Sequence, residues 1–152
     1  MQQFSYPATL KRDRRGGYLV TFRDVPEAIT QGENLAEALE QAADALDEAV
    51  AGRMRLGDEI PLPSQSKKSS HLVPLPAATA LKAALYLTIR ETKLSKVALS
   101  RRLGYDEKEV RRLLSPDHPS KLQRLEDVLQ SLGKRIVVSV EDKAGTKRLA
   151  RS

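Results

Sequence analysis

The sequence predicts an α+β protein in which a small β-β-β-α-β unit precedes a helical unit that ends in a strand. Three observations support this order. Apolar residues near the amino terminus alternate with polar ones, as in half-buried strands. Beyond residue 34 they recur at helical spacing instead. Between residues 61 and 70, a stretch of Pro, Ser and Lys has the composition of a flexible linker.

Period-two alternation predicts the first two strands on either side of a polar turn. Their apolar positions are Phe4, Tyr6, Ala8, Leu10, Tyr18, Val20 and Phe22. Pro7 lacks the N–H that a ladder hydrogen bond requires, which predicts an edge position for the first strand. Residues 28–31 predict a short third strand that ends at Gly32. Residues 71–73 predict a fourth strand that completes the sheet.

An amphipathic helix is predicted after the third strand. Asn34 is its expected N-cap, Glu37 lies at capping-box spacing, and Gly52 is its expected end. The apolar stripe consists of Leu35, Leu39, Ala42, Leu46 and Val50, and the acidic residues Glu37, Glu40, Asp44, Asp47 and Glu48 lie largely opposite. Two interpretations of the acidic stripe remain open, a solvated surface and a binding face for a basic partner.

The helical unit, residues 77–142, is predicted from one helix over 77–91 and three shorter ones. Ser95 caps a helix over 96–103 that ends at Gly104, and Asp106 with Glu109 forms a capping box for the next. The expected inward positions of the short helices are Val97, Leu99, Leu103, Val110, Leu113, Leu114, Leu122, Leu125, Leu129 and Leu132. Two short helices around a glycine turn predict a helix-turn-helix, whose second helix enters a DNA major groove.

The charged residues around that second helix are the candidate DNA contacts. They are Lys96, Glu107, Lys108, Arg111, Arg112 and Lys121. Arginine contacts guanine bidentately, and a glutamate near the helix start accepts from a cytosine amine or excludes wrong bases. Lys96 and Lys121 suit phosphates. The competing interpretation is an ordinary helical bundle whose charges only face solvent.

The net charge of +6 conceals a difference between the two halves. Residues 1–60 contain 7 Lys and Arg against 11 Asp and Glu, a net charge of −4. Residues 61–152 contain 19 against 9, a net charge of +10. The basic half suits phosphate backbones, and the acidic half suits a basic partner.

The amino-acid composition also limits the kinds of site and the cellular location that we expect for this protein. The absence of cysteine excludes disulfides and thiolate metal sites. No apolar run approaches a membrane span, and residues 1–3 do not begin a signal peptide, so a soluble cytoplasmic protein is expected.

Beyond the last helix, Ile136, Val138 and Val140 predict a strand over 135–141. Such a strand has no partner in a helical unit, and an unpaired edge invites pairing with another chain. The sequence therefore predicts that two copies pair here, giving a dimer that suits a two-fold operator, or a tetramer. Residues 143–152 form a basic tail that we expect to be disordered.

Two sets of residues resemble known families. Residues 99–104, Leu-Ser-Arg-Arg-Leu-Gly, with Val110, resemble the helix-turn-helix of Cro/Xre-type repressors, in which Ser100 is usually alanine. The first half resembles the HicB antitoxin family, which commonly has proline at the position of Arg23. The matching residues are Tyr6, Gly17, Val20, Phe22, Asp24, Pro26, Thr30, Gly32, Glu37 and Ala38, with a junction over 73–76 and 84–86, so the resemblance spans roughly residues 4–141.

The HicB resemblance implies a partial ribonuclease-H-like domain over 1–76 that binds and masks a HicA-like toxin. Such toxins are small basic proteins that cleave messenger RNA. The resemblance also implies that the helix-turn-helix binds operator DNA and represses the pair. We expect no catalytic residue, no cofactor and no metal, and interpret Asp24 as a turn residue and His118 as an exposed loop residue. Two alternatives remain, a plain repressor with a ligand- or protein-sensing first domain, and a nuclease that uses Asp24.

Overall fold

A computed structural model describes residues 1–68 and 70–143 and shows the predicted α+β architecture. Within these residues there are four strands and five helices. They are β1 (Ser5–Arg12), β2 (Tyr18–Phe22), β3 (Ile29–Gly32), α1 (Leu35–Leu56), β4 (His71–Pro74), α2 (Ala77–Thr92), α3 (Lys96–Leu103), α4 (Glu107–Leu114) and α5 (Leu122–Ser131). Apart from Lys143, the predicted disordered tail lies outside the described residues.

The four strands form one antiparallel sheet in the order β3-β2-β1-β4. Strand β1 is therefore central, and the edge position predicted from Pro7 was wrong. The Leu75 amide donates to the Phe4 carbonyl at 2.8 Å, so by the alternation of an antiparallel ladder position 7 faces away from β4. It faces the side where pairing with β2 begins only at Ala8. The missing N–H of Pro7 thus interrupts no ladder bond.

Helix α1 packs against one face of the sheet and is longer than predicted. Its N-cap is Asn34, which accepts from the Glu37 amide at 2.9 Å. Gly52 does not end it, because the chain there keeps helical geometry and the neighbouring Ala51 and Met54 are buried. Gly57 ends it instead, with a left-handed φ of +72°. At the other end, a Cβ on Gly32 would lie 2.4 Å from the Ala38 nitrogen, so the entry to α1 requires glycine.

The segment after α1 is held against the first core, which lies between the sheet and α1. The Tyr6 hydroxyl donates to the Pro61 carbonyl at 2.7 Å, and burial raises the pKa of Tyr6 to about 12. The Asp24 carboxylate accepts from the Ser64 amide and hydroxyl at 2.9 and 3.0 Å. The predicted linker over 61–70 is thus anchored at its beginning, although Leu62 is 52% exposed, and residues 65–68 are all exposed.

Helix α2 contributes to two hydrophobic cores. Ala83 and Tyr86 belong to the first core, with residues of the sheet and α1. Leu85 belongs to the second, together with Leu113 of α4 and the α5 residues Leu125, Val128 and Leu129. One helix therefore fixes the position of the helical half relative to the sheet. None of the helices within residues 1–68 and 70–143 combines the length and apolarity that a membrane crossing requires.

Two inward-facing positions predicted for the helical half need correction. Val97 and Leu122, predicted to face inward, are 48% and 57% exposed. Residues 135–141 are assigned to no strand in the single chain, because none of the described strands pairs with them. Ile136 packs against the second core, whereas Val138 and Val140 are 78% and 94% exposed. Pairing between two copies through this segment stays a prediction.

Candidate nucleic-acid interface

Helices α3 and α4 are joined by a short turn at Gly104 and Tyr105. Ser95 caps α3 by accepting from the Ala98 amide at 3.1 Å. Gly104 ends α3 in the left-handed region, with a φ of +70°. The Ser100 hydroxyl donates to the Tyr105 carbonyl, and the Tyr105 amide donates back to the Ser100 carbonyl at 3.1 Å. The serine that replaces the usual alanine therefore helps to close the turn.

Helix α4 begins with the predicted capping box. The Asp106 carboxylate accepts from the Glu109 amide at 2.8 Å, and the Glu109 carboxylate accepts from the Asp106 amide at 2.9 Å. Arg124 of α5 contacts the same end of the helix, with its guanidinium 4.7 Å from the Tyr105 ring centre and 3.4 Å from Glu109. Val110 is buried on the inner side of the helix. These contacts leave the opposite side of α4 to solvent.

The candidate contact residues lie on or beside that exposed side. The exposed candidates are Lys96, Glu107, Lys108, Arg111, Arg112 and Lys121. Within residues 1–68 and 70–143, none of these six side chains takes part in an ion pair, a hydrogen bond or a ring contact. Four of them lie on α4, Lys96 begins α3, and Lys121 is the residue before α5. Free cationic side chains on one short helix are available for phosphates and base edges.

A buried lysine lies beneath the end of α4, and the sequence analysis missed it. Lys82 of α2 is 5% exposed, and its ammonium donates to the carbonyls of Arg112 and Leu113, both at 2.9 Å. It also donates to the Ser120 hydroxyl at 2.7 Å. A signal was present, because Lys82 is the one charged residue between 77 and 89 in a helix that is otherwise mainly apolar.

The acidic side of α1 is a second charged surface. Glu40, Asp44 and Glu48 are exposed there. Two of them already hold cations of this chain: Lys143 lies 3.3 Å from Glu40, and Arg55 lies 3.1 Å from Glu48. The surface therefore attracts cationic side chains.

Arg55 also connects α1 to the loop after α4. Its guanidinium donates to both carboxylate oxygens of Asp117, at distances between 2.6 and 3.1 Å. This pairing raises the pKa of Arg55 and lowers that of Asp117. A surface loop of the helical half thus contacts the end of the helix that covers the sheet.

Asp24 is the residue considered for nuclease chemistry, and His118 is the loop histidine that directly follows Asp117. The Asp24 carboxylate accepts hydrogen bonds from Ser64, and His118, which was expected to be exposed, is partly buried in the loop before α5. Among the described residues, no group of three or more His, Cys, Asp and Glu could hold a metal ion.

Comparison with known proteins gives matches over both halves. Residues 5–84 match the profile of a family described as HicB-like antitoxin of bacterial toxin–antitoxin systems. The chain is 37% identical over 131 residues to "Antitoxin HicB" of Escherichia coli strain K12, covering 86% of this chain and 95% of that relative. It is 33% identical over 141 residues to "Antitoxin HicB 1" of Photorhabdus laumondii, covering 93% and 90%. It is 36% identical over 129 residues to "Antitoxin HicB" of Pseudomonas fluorescens, covering 83% and 87%.

Proposed function

The chain belongs to the HicB-like antitoxin family of bacterial toxin–antitoxin systems, and on this basis we propose that it is the antitoxin of a type II pair. Its first domain binds and masks a HicA-like toxin that cleaves messenger RNA. Its helical half binds operator DNA and represses transcription of the pair. One observation carries the antitoxin role: the family match over residues 5–84 covers the acidic unit of sheet and α1.

Charge supports the toxin-binding part of the proposal. HicA-like toxins are basic, and the residues of this chain up to 60 carry a net charge of −4. The exposed side of α1 presents Asp44, whose carboxylate has no ion-pair or hydrogen-bond partner among the described residues. Opposite charges on two surfaces accelerate association and select the partner. We therefore place the toxin on the exposed side of α1.

Growth rescue tests this placement. Asp44→Lys reverses a charge on α1, and Glu33→Lys makes the same change at an exposed residue just before the helix. We expect Asp44→Lys to slow association with the toxin and to weaken rescue of cells that express it. Glu33→Lys should retain more of both. Equal behaviour of the two variants would contradict a toxin surface on α1.

The free cations of α4 support the DNA-binding part. Arg111 and Arg112 have no side-chain partner within the described residues, so both remain available to base edges. Lys96 and Lys121 lie on the flanking elements, where lysine suits phosphates. The assay is gel-shift titration of duplex DNA from the region upstream of the chain's own gene, against random duplex of the same length. Tighter binding to the upstream DNA supports repression, and equal binding contradicts it.

The exposed valines after α5 support self-association. Val138 and Val140 are apolar side chains in solvent, on a segment that pairs with no strand among the described residues. Pairing of two such segments satisfies their backbone groups and covers the valines. The resulting dimer presents two copies of α4 to a two-fold operator. Light scattering of the full chain measures its oligomeric state directly. We expect a dimer or a tetramer, and a monomer would contradict self-association.

A further inference from the structure

The ammonium group of Lys82 binds both the end of α4 and the loop that follows it. The Lys82 nitrogen donates to two carbonyls in the last turn of α4, those of Arg112 and Leu113, each at 2.9 Å. Its third contact, at 2.7 Å, is the hydroxyl of Ser120, which directly precedes Lys121. The group therefore links the helix that carries Arg112 to the loop that carries another candidate DNA contact.

The donors and the charge of the ammonium group match the acceptors at the end of α4. The last four carbonyls of a helix have no partner within it, and they carry the negative end of the helix dipole. An ammonium has three N–H donors, and three acceptors surround this one. Burial lowers the pKa of Lys82 to about 8, so the group remains mostly protonated at pH 7. Lys82 thus adds a charge and donors at the end of α4, where the Ser115 amide also donates to the Arg112 carbonyl, at 3.3 Å.

Packing alone leaves the direction of α4 weakly determined. The helix has eight residues, about two turns, and only Val110 and Leu113 are buried. Its first turn is held by the capping box and by the pairing of Arg124 with Glu109. Lys82 is the corresponding polar contact at its last turn. Both ends of the helix are therefore fixed by directional bonds.

The base from which Lys82 reaches α4 is itself fixed. The residue after Lys82 along α2 is Ala83, which is fully buried in the first core, and the residue before it is Leu81, which packs against the second core. A lysine stem between two packed residues has little freedom to follow a moving helix. The position of its nitrogen is set by both cores, and α4 must meet it there.

We propose that Lys82 is a positioning residue for DNA recognition: it fixes the last turn of α4 and the loop before α5 so that Arg111 and Arg112 meet base edges in register. The inference rests on the DNA-binding function proposed above. Lys82 touches no DNA itself, because it is buried between α2 and α4. Its contribution is therefore to discrimination between sequences and not to general attraction for phosphates.

The test compares two lysine-to-methionine variants of the full chain. Lys82→Met keeps an unbranched apolar stem and removes the donors, whereas Lys67→Met removes the same charge at an exposed position of the linker over 61–70. Each is titrated with duplex DNA from upstream of the chain's own gene and with random duplex. We expect Lys82→Met to lose about tenfold in affinity for the upstream DNA, within the discrimination of one bidentate guanine contact. Its loss of affinity for random duplex should be clearly smaller, and Lys67→Met should retain the wild-type preference.

A second variant separates positioning from loss of folding. Ser120→Ala removes one of the three acceptors and leaves the lysine in place, so we expect a smaller loss of preference in a chain with normal thermal unfolding. Equal losses on both DNAs in either folded variant would overturn the inference, because general weakening is not mispositioning. An unchanged preference in both folded variants would overturn it too. If the wild-type chain has no preference for the upstream DNA, the proposed DNA-binding function itself fails.

Discussion

Replacing Arg111 by alanine removes a cation that makes no hydrogen bond, ion pair or ring contact within the described residues. The fold should therefore be unaffected, since an exposed residue away from caps and cores usually changes the free energy of unfolding by less than about 0.5 kcal/mol. A bidentate arginine–guanine pair contributes about 1–3 kcal/mol of discrimination. In a dimer both half-sites lose it, so operator binding should weaken by about 2–6 kcal/mol. The lower limit corresponds to roughly 30-fold in affinity.

The assay for Arg111→Ala is titration of operator and random duplex at several salt concentrations. Lys121→Ala is its control, because a phosphate contact should weaken binding to both DNAs alike. Each lost phosphate contact also reduces the slope of log affinity against log salt by about 0.9. We expect Arg111→Ala to lose most of the operator preference and Lys121→Ala to keep it. Equal losses on operator and random DNA for Arg111→Ala would refute a base-reading role.

Three further predictions concern the fold, the buried lysine and assembly. Leu46→Ala empties a fully buried position of the first core and should lower the free energy of unfolding by about 2–5 kcal/mol, measured by urea denaturation. For Lys82, the folded pKa of about 8 lies below the reference value of 10.5, so the unfolded chain binds more protons between these values. The free energy of unfolding should therefore rise with pH across that window, and less so in Lys82→Met. Val138→Lys should convert the dimer to a monomer in light scattering, and Ser139→Lys, its neighbour, should do so less; equal effects would contradict a ribbon.

The sequence predicted the elements of the fold well wherever local chemistry determines them. Alternation predicted β1 and β2, and side-chain caps at Asn34, Ser95 and Asp106 predicted three helix starts. Prediction from the sequence failed where a tertiary contact determines the bounds or the position of an element. Glycine is a common residue at helix ends, which predicted an end at Gly52. Residues on both sides of Gly52 are buried, however, and α1 continues to Gly57. Pro7 indicates an edge strand only if its missing N–H faces a neighbouring ladder, which the sequence does not reveal.

The exposed charged residues of the candidate site could be predicted from the sequence, whereas the buried residue that contacts the end of α4 could not. Charges on a short helix can be identified from their spacing alone, which yields Lys108, Arg111 and Arg112. Lys82 lies far from them along the chain, and its role depends on the approach of α2 to the last turn of α4. Arg55 and Asp117 are likewise 62 positions apart. Such contacts follow from the packing of whole elements, which local periodicity does not encode.

Neutralisation of a toxin is the function proposed for this chain, and growth rescue with the captured partner tests it most directly. Tagged full-length chain is used to capture its partner from the native host, and that partner is then expressed alone and together with the chain. We predict one small basic protein that stops growth when expressed alone and allows growth when the full chain is present. A folded chain that captures no growth-arresting protein, or captures one without restoring growth, would contradict the account.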